Sequence, residues 1–160
     1  MSLVALLTSA LAVVALTAIA SAAVGRAAGY VAAAGLAALT ALVAIAAPGV
    51  IAGELVRESV PWLPTIDVAL RLRLDGLAIV FLLIVLGVGA LVMAYSARYL
   101  STRSVHRHTG YYVWMTLFAF AMTGLVLADD IVLLFVFWEL TTLCSFFLIN
   151  RSGRKASAPA

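Results

Sequence analysis

Five apolar runs, each long enough to cross a bilayer, leave this sequence few folds to choose from. They cover residues 3–24, 27–47, 76–97, 109–128 and 131–150. A hydrocarbon core of about 30 Å takes about 20 apolar residues when each rises 1.5 Å along a helix. Composition points the same way. Of 160 residues, 66% are hydrophobic and 11% charged, which is too little polar surface to cover a soluble globule. The expected fold is an all-α membrane protein of about five transmembrane helices.

The few charges are spread unevenly, and that unevenness predicts orientation. With the N-terminus outside, Arg26, Arg98, Arg103, Arg107, Arg151, Arg154 and Lys155 all fall on the inner side. The outer side then holds Glu54, Glu58, Asp67, Asp75, Asp129 and Asp130 beside only Arg57, Arg71 and Arg73. A formal net charge of +3 gathered in short clusters beside apolar runs reads as a topology signal, and no nucleic-acid partner is expected. The first run carries a small-residue Ala20-Ser21-Ala22 site but no basic n-region, so it is expected to stay as an uncleaved first helix.

Four segments follow. Residues 1–51 form two leading helices rich in Ala and Gly, where Gly25-x-x-x-Gly29 lets neighbours approach closely. In the connection 52–75, Ile66, Val68, Leu70, Leu72 and Leu74 alternate with Asp67, Ala69, Arg71, Arg73 and Asp75 after Pro61, Trp62 and Pro64. That period of two predicts a short extracytoplasmic strand or hairpin laid over the helix ends. Residues 76–150 hold helices three to five. Residues 151–160 turn small, polar and basic, as a disordered cytoplasmic tail would.

Glu139 is the principal candidate site. It lies mid-run in Phe135-Val136-Phe137-Trp138-Glu139-Leu140-Thr141-Thr142, where an acidic group costs roughly 2.5–3.5 kcal/mol to insert. Such groups commonly lie on proton or ion paths, because desolvation disfavours the charge and leaves a group that can load and release a proton. A neutral acid hydrogen-bonded to a neighbouring helix is the structural alternative, with Thr142 one turn on as a possible support. Asp129 and Asp130 open the fifth run as helix caps, or form an outer point where ions enter. His106 and His108 read as a solvated loop, and the tyrosines Tyr95, Tyr99, Tyr111 and Tyr112 with Trp114 read as an aromatic belt. The lone Cys144 reads as a packing residue. No cofactor, metal site or redox centre is expected, since Cys and His are not spaced as ligands.

Three segments together resemble a known family. Leu72-Arg73-Leu74-Asp75-Gly76-Leu77, the run from Gly124 to Asp129, and the run from Leu133 to Ile149 with Trp138-Glu139-Leu140-Thr141-Thr142 and Cys144-Ser145 at its centre are similar to the N-terminal part of the antiporter-like subunits shared by Mrp-type cation/proton antiporters and respiratory complex I. Leu-Thr-Thr after Trp138-Glu139 is closer to the antiporter A subunit than to the large complex I subunit. The resemblance implies a secondary transporter subunit in a bacterial-type inner membrane. It would exchange protons for Na⁺ or another monovalent cation alongside the other subunits of a multisubunit complex. It also implies that Glu139 pairs with a lysine on a later helix. None of the five runs contains a lysine, so the expectation is a portion of such a subunit, inactive alone. A proton-translocating arm of an NADH–quinone oxidoreductase and a non-transporting assembly component are the alternatives.

Overall fold

The computed structural model describes residues 2–23, 27–53, 55–63, 68–100 and 109–153. Gly25, Arg26, Glu54, Pro64, Ile66, Asp67, Arg103, His106, His108, Arg107 and the tail from Arg154 lie outside the described residues.

The described residues form five helices and one hairpin, in the order α1 (Leu3–Ala23), α2 (Ala28–Ile51), β1 (Val56–Leu63), β2 (Val68–Leu74), α3 (Gly76–Leu100), α4 (Thr109–Leu127) and α5 (Ile131–Gly153). Each helix is long and apolar enough to cross a membrane. Most outlast the apolar runs that predict them. The final turn of α2 passes through Pro48 to Ile51, with Ala52 N–H bonded to the Pro48 carbonyl. Proline removes one hydrogen bond here, near the helix end, where the loss is smallest. In α5 the helix runs on through residues expected to belong to the tail, as far as Gly153. The carbonyls of the last apolar turn need donors, and a further turn of helix supplies them where the chain leaves the bilayer.

The helices are arranged as a ring with an outrigger. α1 packs on α2 and α4, and α3 packs on α2 and α4, which closes a four-helix ring. α5 packs substantially on α4 alone. Burial follows the same order, 39% of the spanning window in α4 against 17% in α5. Lipid tails are as apolar as leucine, so the ring is held by close approach and packing rather than by exclusion of water.

β1 and β2 form the antiparallel hairpin, with Glu58 opposite Leu72, Val60 opposite Leu70 and an irregularity between Pro61 and Leu63. Proline is tolerated because each strand of a two-stranded sheet has a free edge. The alternation in β2 sorts its side chains. Leu72 and Leu74 are buried, at 1% and 0% exposure, on the helix ends, and Arg71 faces outward. A bridge between Leu72 and Ala128 and a bond from Asp129 N–H to the Arg71 carbonyl, 2.9 Å, tie the α4–α5 turn to the same strand.

The hairpin also caps helices. Glu58 Oε2 accepts from Val4 N–H at 2.8 Å and from Ser2 Oγ at 3.1 Å, closing the N-terminus of α1 from across the sequence. Asp75 Oδ1 accepts from Ala78 N–H at 2.9 Å and caps α3. Carboxylates there satisfy orphan donors and meet the positive end of the helix dipole. Glu58→Ala is expected to lower the unfolding free energy by about 1 kcal/mol, read from detergent-titrated unfolding. An unchanged midpoint would mean that the cap is made but adds no stability.

Candidate functional site

Two stripes on α5 decide what Glu139 faces. Leu133, Phe137 and Cys144 are buried against α4, at 3%, 8% and 0% exposure. Phe135, Glu139, Thr142, Phe146 and Ile149 recur at the same four-and-three spacing but stand on the open side, all exposed. At 100° per residue, Glu139 lies about 200° round the helix from Phe137. The carboxylate therefore projects away from α4, the only helix among the described residues that α5 substantially touches. Among the described residues it has no hydrogen-bond or ionic partner.

Thr142 does not supply one. Its hydroxyl donates to the Trp138 carbonyl at 3.1 Å, and Thr141 donates to the same oxygen at 2.7 Å. A helical threonine next to its i−4 carbonyl has that acceptor always at hand. Ser145 does likewise, donating to the Thr141 carbonyl at 2.9 Å. The polar residues around Glu139 thus satisfy themselves locally.

At the hairpin end the two aspartates take different roles. Asp130 Oδ1 accepts from Leu133 N–H at 2.9 Å and is the cap of α5. Asp129 lies between two arginines that face each other across the hairpin, 3.8 Å from Arg57 Nε and 3.9 Å from Arg73 Nη1. Like charges placed opposite each other on a ladder repel, and Asp129 offsets that repulsion. Arg73 Nη2 reaches Asp75 at 2.8 Å, while its Nε is closed off from solvent without an acceptor among the described residues. Asp129 thus faces two guanidinium groups, and Asp130 faces a backbone N–H.

Next to this cluster a cavity of about 380 Å³ opens between the hairpin ends of α3 and α4. Arg73, Asp75 and Asp129 stand on its polar side, and Leu77, Phe81 and Met122 are among its apolar walls. Glu139 is not among the residues that line it. Among the described residues no group of three or more His, Cys, Asp or Glu could hold a metal ion.

The aromatic residues at the opposite end are more than a belt. Tyr95 and Tyr99 stack at 5.8 Å. Tyr112 is buried to 3% exposure and donates from its hydroxyl to the Ser96 carbonyl at 3.3 Å, while Tyr111 shares a hydrogen bond with Ser96 Oγ at 3.2 Å. Trp114 stacks on Phe147 of α5 at 4.4 Å. Two contacts escape a reading of the sequence, the capping of α1 by Glu58 and the seating of Phe137 on Gly124. Both join residues far apart in sequence.

The family model described as "NADH-Ubiquinone oxidoreductase (complex I), chain 5 N-terminus" matches residues 62–109. A protein of Staphylococcus aureus strain MRSA252 named "Putative antiporter subunit mnhA2" is 44% identical over 103 residues, covering 64% of this chain and 13% of that protein. The protein of the same name in strain USA300 is 43% identical over the same length. A solved structure of the Mrp complex from Dietzia sp. DQ12-45-1b superposes with a TM-score of 0.85 at 50% identity, over 99% of this chain and 17% of the matched chain. This chain thus spans less than a fifth of the relatives it matches.

Proposed function

From the kinship of this chain with the N-terminal part of the Mrp-type antiporter A subunits, we propose that it supplies the leading helices of a monovalent cation/proton antiporter subunit and that Glu139 carries the proton. The supporting observation is the position of Glu139, mid-span on the open stripe of α5 with no partner among the described residues. An acid so placed calls for a donor or a cation from another helix, of the same subunit or of a neighbouring one. A lysine ammonium fits. A unit charge about 4 Å away is worth about 4 kcal/mol at an effective dielectric of about 20, enough to decide whether the acid keeps its proton. Moving that charge toward Glu139 expels the proton, and withdrawing it lets a proton return. Na⁺ or another monovalent cation is the counter-ion exchanged. The five helices alone hold one member of the pair and are inactive in exchange without the rest of the assembly.

The test is antiport by everted vesicles of the assembled complex carrying Glu139→Ala. Full activity would remove the proposal. Transport unaffected by this change but lost on deletion of the chain would make it an assembly component. The match to the complex I family model favours one second reading, a proton-translocating arm of a quinone-linked dehydrogenase, for which co-purification with flavin and iron–sulfur proteins is the mark.

The proposed orientation puts the hairpin outside and the end of α5 in the cytoplasm. In a Cys144→Ala background, Ser59→Cys is expected to react with an impermeant maleimide on intact cells, and Ser152→Cys only after permeabilisation. The reverse pattern would invert the topology.

A further inference from the structure

We propose that Gly124 of α4 is a positioning residue for Glu139, acting through Phe137. This rests on the reading of Glu139 as a proton carrier. The contact itself is steric. A Cβ built on Gly124 would fall onto the ring edge of Phe137, at Cε1, Cζ and Cδ1. Gly124 is buried, and Phe137 is 8% exposed. Phe120, one turn before Gly124 on the same face of α4, meets the same ring edge-on at 5.7 Å and 71°. Phe137 is thus a knob whose hole has Phe120 on one side and the bare backbone of Gly124 as its floor.

The consequence lies on the other side of α5. This helix has one substantial neighbour, so nothing else among the described elements holds its roll about its own axis as firmly as its seats on α4. Phe137 is the bulkiest of the three buried side chains on the α5 stripe. Glu139 is two residues further on and faces the opposite way. A side chain at position 124 would lift the ring and roll or shift the whole helix. With side-chain tips about 5–6 Å from the axis, a roll of about 20° moves a tip by about 2 Å, enough to break a hydrogen bond or an ion pair. Gly124 touches neither the proton nor Glu139. It sets the direction in which Glu139 points.

The test uses the full chain in phospholipid vesicles and two readouts. The first is labelling of Glu139 by the hydrophobic reagent dicyclohexylcarbodiimide, which takes protonated carboxyls in apolar surroundings, followed by mass spectrometry across pH. The second is quenching of Trp138 by brominated-chain phospholipid in a Trp62→Phe/Trp114→Phe background. It reports the roll of α5 whether or not Glu139 takes a proton. Gly124→Val is expected to change the labelling rate by about threefold or more, to move its pH profile, and to alter quenching of the adjacent Trp138. Gly124→Ala should do the same more weakly, and covers the case in which valine prevents folding. Adding Phe137→Ala to Gly124→Val makes room for the new side chain and should bring both readouts back toward wild type. Unchanged quenching in both Gly124 variants, or a double variant no closer to wild type than the single, would overturn the positioning role. A wild-type Glu139 that is never labelled, or is labelled equally at every pH, would count against the proton carrier instead, and quenching would still decide the role of Gly124.

Discussion

Replacing Glu139 by Gln is expected to reduce Na⁺-dependent proton movement in everted vesicles to the level of vesicles without the complex, with the amount of assembled complex unchanged. Gln has nearly the same shape and can hydrogen-bond to whatever helix covers the open stripe of α5, but it cannot release a proton. Packing and polarity are held constant and ionisation alone is removed. Glu139→Asp provides the complement. It keeps the ionisable group but withdraws it by about 1.5 Å, one carbon–carbon bond, and should leave partial transport with an altered dependence on pH. The pair separates charge from reach. If Gln retains transport, the carboxylate is structural; if Asp and Gln are equally inactive, the distance to its partner matters as much as its charge.

Gly29→Leu should destabilise the helix ring by about 3 kcal/mol. Where α2 meets α3 and α4, a Cβ on Gly29 would lie 2.7 Å from the Ala97 methyl and 2.8 Å from Tyr112 Cε1. Neither neighbour can swing away. The methyl is the whole of the Ala97 side chain, and the Tyr112 ring is buried with its hydroxyl held on the Ser96 carbonyl. Overpacking a close contact costs about 1–3 kcal/mol, and displacing Tyr112 forfeits a buried hydrogen bond worth about 1 kcal/mol more. Tyr112→Phe separates the two contributions, since it removes only the hydrogen bond. Unfolding by detergent titration checks both. A Gly29→Leu protein as stable as wild type would show that the three helices can part at that end without loss.

How much of this was legible in the sequence depends on whether the governing interaction is local. Span length is local, and all five helices lie where the apolar runs put them. The alternation of Leu70, Leu72 and Leu74 with the arginines is also local, and it gave β2 and its buried face. The Asp130 cap needs only the next three residues. Its neighbour Asp129 was harder. It reads equally as a cap, and its engagement with Arg57 and Arg73 depends on the cross-strand register that brings those two together.

The rest was hidden for a physical reason. A soluble helix shows which face packs through its contrast of polar and apolar residues. α4 and α5 are apolar nearly all round, so that contrast is missing. The seat of Phe137 on Gly124 rests on shape, which hydropathy does not record. Thr142 illustrates the converse. One turn from Glu139 it looks like a natural partner, but a carbonyl of its own helix is nearer to hand and takes the hydroxyl.

The carboxylate of Glu58 has a consequence for how the protein is made. α1 is synthesised before α2 and the hairpin, yet the group that closes its N-terminus lies 54 residues beyond Val4, after the span of α2. The cap can form only if two crossings bring the chain back to the side where α1 began. If only one of these two helices crossed, the free N–H groups of α1 and the hairpin carboxylate would lie on opposite faces of the bilayer, with no means of meeting. The hairpin thus acts as a late check that both helices have crossed, and only a chain threaded twice gains the stability of passing it.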